Sequence, residues 1–142
     1  MKKLLGIIVL GLLLSGNAIA SNHYPITRDS KISIVKGELL YNQYCASCHM
    51  PNLSGAKNWK GKDKDGHNLS PPLNGSGHTW HHSDELLHNI IKHGFINLVK
   101  NYKGKMIGFG DKMSDKQIDS VLSYIKSHWE DEIYERQISI SK

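Results

Sequence analysis

The chain has 142 residues, with 18 Lys and Arg against 13 Asp and Glu, a formal net charge of +5 and 39% hydrophobic residues. That length allows one small domain. There is no long run of like charge, no repeat and no low-complexity block, and mild basicity alone gives no support for nucleic-acid binding.

At the N-terminus, Lys2 and Lys3 precede an apolar run from Leu4 to Leu14, broken only by Gly6 and Gly11. Ser15-Gly16-Asn17 is polar and turn-prone, and Ala18-Ile19-Ala20 is a small-x-small cleavage signature. This is the pattern of a secretory signal peptide cut after Ala20. An uncleaved spanning anchor would need about 20 apolar residues, more than the run supplies. The expected organisation is therefore a signal peptide at 1–20, an irregular N-terminal leader at 21–34 and one domain at 35–142. Removing Lys2 and Lys3 lowers the net charge to +3. No later segment is long and apolar enough to span a bilayer. The mature protein is expected outside the cytoplasm, in the periplasm of a Gram-negative cell or on the outer face of a Gram-positive membrane.

Asp29 or Ser30 can cap a first helix running to about Ala46. Ile32, Val35, Leu39, Leu40, Tyr41 and Tyr44 fall near helical spacing. At its end stands Cys45-Ala46-Ser47-Cys48-His49, which holds the only two cysteines of the chain. The C-x-x-C-H spacing suits covalent attachment of haem. Two thiols can add to the two vinyl groups on one edge of the porphyrin, and the adjacent histidine can reach the iron. Other chemistries use C-x-x-C as well. A thioredoxin-like redox motif would sit near a βαβ pattern, which is missing. A zinc site needs a second ligand pair at suitable spacing.

Met50 to Leu73 is rich in Gly, Pro, Asn and Lys without periodicity, which predicts a long loop. Six histidines then fall between Asp65 and Gly94: His67, His78, His81, His82, His88 and His93. Ser83 is a good N-cap, with Asp84 and Glu85 in the first turn. The helix it opens carries Leu86, Leu87, Ile90 and Ile91 and stops at Gly94. Asn97 to Gly110 is loop again. Ser114 caps a last helix with Gln117 at the capping-box position and an apolar face of Ile118, Val121, Leu122 and Ile125, which is expected to continue past Trp129. No segment alternates as a strand does. The fold class is all-α with long loops.

From Val35 to Trp129 the chain resembles a class I c-type cytochrome, which implies a small all-α domain of three to five helices with long loops wrapped around one covalent haem. Gly37 and Tyr41 resemble the small residue and aromatic with which that family packs its first helix across its last, where Val121 and Tyr124 stand. Pro71-Pro72-Leu73 resembles the segment whose backbone carbonyl orients the proximal histidine, here His49. Met106-Ile107-Gly108-Phe109-Gly110 resembles the family's loop for the sixth iron ligand, with Ile107 where proline is usual. The resemblance implies one haem c bound by Cys45, Cys48, His49 and Met106, with His49 and Met106 on the iron and Met113 in the core. A thioether donor favours ferrous iron and raises the potential, and a filled coordination sphere favours electron transfer over catalysis.

The histidine-rich stretch Gly77-His78-Thr79-Trp80-His81-His82 lies outside that pattern. Its residues are expected to line the haem edge, with Trp80 or a histidine donating to a propionate, or to stand exposed; adjacent imidazoles can also bind copper or zinc. Lys57, Lys60, Lys62 and Lys64 in the first loop, and Lys92, Lys100, Lys103 and Lys105 near Met106, are expected to face acidic redox partners, with Glu130, Asp131, Glu132 and Glu135 at the other end. The implied function is an exported mono-haem electron carrier, not an enzyme. Its partners would be a quinol–cytochrome c reductase, a periplasmic dehydrogenase or a terminal oxidase. Alternatives are a haem-based gas sensor or enzyme with a labile methionine ligand, and a His-rich copper-binding or copper-delivery module.

Overall fold

A computed structural model describes residues 25–142. The expected signal peptide lies outside the described residues, as does the start of the leader. The described residues form six α-helices and one short 3₁₀ turn, and they contain no strand; one isolated bridge joins Lys62 to Asn68. Two of the six helices are single turns, and the last expected helix is divided in two, so the count exceeds the three to five expected.

Helix α1, Lys31–Tyr44, starts where Ser30 Oγ accepts from the Ser33 N–H at 3.3 Å. It therefore begins inside the expected leader. Two of the described residues before it are tied into the fold. Ile26 is buried and donates its N–H to Asp84 at 2.6 Å, while Arg28 donates to the Trp129 carbonyl at 2.7 Å and lies over the Tyr134 ring. Helix α5, Asp115–Lys126, is the main partner of α1. The two meet at Gly37, where a Cβ would collide with the Ser120 carbonyl oxygen and lie 2.9 Å from Tyr124 Cβ. Glycine is what lets the backbones come this close. Beside it, the Tyr41 and Tyr124 rings stand 5.3 Å apart.

The face that α1 buries holds Gly37 and Tyr41, with Ile34, Leu40 and Tyr44 partly covered. Ile32, Val35 and Leu39 instead point outward, at 84%, 59% and 69% exposure. They shared helical spacing with the buried set because α1 is apolar on both faces. Helix α2, Ala46–His49, is one turn carrying the cysteine–histidine motif. After the 50–73 loop and the 3₁₀ turn Thr79–His81, Ser83 Oγ accepts from the Leu86 N–H and opens α3, Asp84–His93. Gly94, at φ +81, ends α3, and a single turn, α4 (Phe95–Leu98), follows.

The Ser114 N–H donates to Gln117 Oε1 at 2.9 Å at the start of α5. This helix does not continue past Trp129. It stops at Lys126, and α6 runs over Asp131–Ile140. The break lets the buried Trp129 turn its indole N–H to the Leu73 carbonyl, 2.8 Å away. Met113, Ile118, Val121 and Ile125 fill the core beneath. No described helix is long and apolar enough to cross a membrane.

A polar cluster is buried among α3, α5 and α6. Lys126 and Asp84 are fully buried and paired at 2.6 Å; Lys126 also donates to the Ile26 carbonyl at 2.7 Å. Gln137 Nε2 donates to Asp84 Oδ1 at 2.8 Å and to Ser141 Oγ at 2.9 Å, and Ser141 Oγ accepts from the Asp84 N–H. Burial draws the Lys126 ammonium below its ordinary pKa, against the opposing pull of Asp84.

Candidate functional site

A cavity of about 490 Å³ opens beside α2, within the size range of small-molecule and cofactor sites. Cys45, Cys48 and His49 line it from the motif, and Met106, Ile107 and Phe109 from the 99–110 segment. Residues 63–71 supply Asp63, Asn68, Leu69, Ser70 and Pro71. The four residues expected from the sequence to hold a cofactor thus share one cavity, and its lining is mostly apolar.

His49 is buried, and its Nδ1 lies 2.9 Å from the Pro71 carbonyl oxygen. A carbonyl can only accept, so Nδ1 carries the proton and Nε2 carries the lone pair. Burial lowers the pKa of the ring, with the Pro71 bond opposing, so the imidazole is neutral at pH 7 and fit to ligate a metal. The carbonyl fixes the ring's orientation and makes Nε2 more basic.

Gly55, which belongs to no sequence motif, makes this contact possible. It sits at φ +69, and a Cβ there would stand 2.5 Å from the Pro71 carbonyl carbon. The Gly55 N–H donates to the His49 carbonyl at 3.0 Å, and the Leu73 N–H donates to the Leu53 carbonyl at 2.8 Å, which folds the loop back onto α2. Met50, directly after His49, has φ 66, and its carbonyl accepts from Tyr41 Oη at 2.8 Å.

Cys45 and Cys48 are not joined in a disulfide. Burial, with Cys48 nearby, pushes the Cys45 thiol up to about 12. Disulfide oxidoreductases need the opposite, a thiol pKa drawn down toward neutrality or below. Cys45 is therefore poorly suited to be the attacking thiol of thiol–disulfide exchange. Neutral imidazole nitrogen, thioether sulfur and two thiols at one apolar cavity fit an iron porphyrin joined through thioether bonds.

The histidine-rich stretch does not line the cavity: His78, His81, His82 and Trp80 are all absent from its walls. The Trp80 indole donates to the Gly77 carbonyl at 3.1 Å instead. His78 stacks on Trp59, and His81 lies edge-on to Trp80. Nor do these three histidines converge as a ligand set; among the described residues, Asp63, Asp65 and His67 form the one such group, and Asp63 is already paired with Lys105. His88 is buried between α3 and α5, with Nδ1 2.8 Å from Asp119 and Nε2 3.2 Å from Asp115. Outside the cysteine–histidine motif, the polar side chains that line the cavity are those of Tyr44, Asp63, Asn68, Ser70, Tyr102 and Lys105.

The family model described as cytochrome c oxidase, cbb3-type, subunit III matches residues 33–125. The chain belongs to this family and contains a c-type cytochrome domain. No curated protein and no solved structure matches the chain. The matched span runs from α1 to the end of α5, so it includes the helix crossing at Gly37, the motif of α2 and the Met106 segment. The cytochrome domain implies covalently bound haem, and haem-based electron transfer as the broad role.

Proposed function

We propose that this cytochrome is an exported carrier of single electrons, holding one haem c through Cys45 and Cys48, with His49 and Met106 as axial ligands. The observation that carries this reading is the shared cavity of those four residues, with His49 already turned by Pro71 to offer Nε2. When bound, the haem iron takes up and gives up one electron as it passes between ferric and ferrous states.

The chain's own residues shape that chemistry. The two cysteines tether the ring, so the cofactor is retained even when the fold loosens. His49 offers a neutral, oriented nitrogen. Met106 offers a soft sulfur, which favours the ferrous state and raises the potential. With His49 and Met106 both holding the iron, oxygen and substrates would find no open site on it, which would favour a carrier over an enzyme. Export is supported by the signal-like pattern of residues 1–20, and periplasmic placement follows from it in a Gram-negative cell. The family description makes a terminal oxidase a reasonable electron acceptor, either as a free partner or as the complex in which this chain is a subunit.

The test is an optical spectrum of the ferric protein beside Met106→Ala. The wild type is expected to show the methionine–iron charge-transfer band and to bind carbon monoxide poorly when reduced. The variant is expected to lose the band and bind carbon monoxide readily. A band that survives the substitution would refute the ligand assignment. Ready carbon monoxide binding by the wild type would favour a sensor or enzyme.

A further inference from the structure

The segment that carries Met106 is held at two ends by different means. On the C-terminal side it is fastened to α3 by backbone. The Phe109 N–H donates to the Ile91 carbonyl and the Gly110 N–H to the Lys92 carbonyl, both at 2.9 Å. Gly108 lies so close to α3 that a Cβ there would stand 2.5 Å from the His93 carbonyl carbon. On the N-terminal side the fastening is to the 50–73 loop. The Lys103 carbonyl accepts from the Asn68 N–H at 2.5 Å, and Lys105 Nζ donates to Asp63 Oδ2 at 2.6 Å.

Asp63 is held for this contact by the backbone of its own loop. Its Oδ1 accepts from the Asp65 N–H at 2.9 Å and the His67 N–H at 2.8 Å, which leaves Oδ2 for the lysine. Asp63 and Lys105 both line the cavity, and Lys105 immediately precedes Met106. Ile107, 48% exposed, brings none of the ring constraint a proline would supply, so the position of Met106 depends on these fastenings.

We propose that the Asp63–Lys105 pair is a latch that positions Met106 and sets how readily its sulfur yields the sixth iron position to an outside ligand. The latch presupposes Met106 as that ligand; Asp63 and Lys105 act through it and do not touch the iron. Because Lys105 is 61% exposed, the pair has the modest strength of a surface ion pair and is weakened by salt.

The experiment is an imidazole titration of the ferric, haem-loaded protein, with the methionine–iron band followed in parallel. Asp63→Asn keeps an oxygen for the two backbone N–H groups and removes the charge. Lys105→Met removes the partner from an exposed position. Both are expected to bind imidazole about two- to fivefold more tightly than the wild type at low salt. The difference should shrink as salt is raised. Lys105→Arg, which keeps the charge, and Lys103→Gln, which removes a charge without touching the Lys103 carbonyl, should match the wild type. A retained band with unchanged imidazole affinity in both Asp63→Asn and Lys105→Met would overturn the latch alone. Absence of the band from the wild type would overturn the Met106 assignment and the latch with it.

Discussion

A side chain at position 55 would have to share space with the Pro71 carbonyl carbon and the Pro72 nitrogen, each 2.5 Å from where its Cβ would fall. It would also have to hold φ +69, where an L side chain is strained. Gly55→Ala is therefore expected to destabilise the fold by about 1–3 kcal/mol. It should also push Pro71 off His49 Nδ1, loosening the ring that the carbonyl orients. Denaturant melts and the reduction potential of the loaded protein check this, and an unchanged potential would show that the Pro71 bond does not tune the iron. Residues with local signatures were legible in the sequence. Cys45, Cys48 and His49 form a motif, and Ser83 and Ser114 occupy recognisable cap positions. Gly55 was not legible, because its importance lies in a carbonyl many residues away. The same holds for Asp63, whose partner Lys105 is 42 residues distant.

Among the elements, α5 shows how burial can reverse the reading of a residue. Lys126 lies in the last turn of a helix, where a lysine commonly faces solvent and favours the helix dipole. Here it is fully buried and holds Asp84 and the Ile26 carbonyl. Removing one partner from such a pair leaves the other charged and unsatisfied. Lys126→Ala is therefore expected to cost about 3–5 kcal/mol, measured as a fall in the denaturant midpoint. A loss within the range of a surface substitution would show that Asp84 finds water or another donor. Helix α1 illustrates the complementary limit. Spacing identified it as a helix, but with apolar residues on both sides it could not tell Ile32, Val35 and Leu39 from the face that meets α5. The division between α5 and α6 was hidden for a related reason: no Gly or Pro marks it, and it is Trp129 reaching Leu73 that settles where the chain turns.

At the scale of the whole molecule, charge is unevenly placed. Exposed Lys57, Lys60, Lys62 and Lys64 sit on the loop that walls the cavity, and Lys100, Lys103 and Lys105 on the segment leading to Met106, while exposed Glu130, Asp131, Glu132 and Glu135 lie in and beside α6. Oxidation of the reduced protein by an anionic reagent such as ferricyanide is expected to slow by about tenfold as ionic strength rises from about 0.01 to about 1 M, over which the screening length contracts from about 30 to about 3 Å. A rate indifferent to salt would remove the steering role of these lysines. The buried Asp84–Lys126 pair has a further consequence, one of timing. Its partners come from both ends of the described chain, from Ile26 and from Gln137 and Ser141. Chains emerge N-terminus first, so the thiols at 45 and 48 are available well before residue 141. Until Ser141 arrives, closing the core would bury polar groups short of partners, at an energetic cost. The core is thereby fully partnered only when residues on both sides of the two thiols have come together.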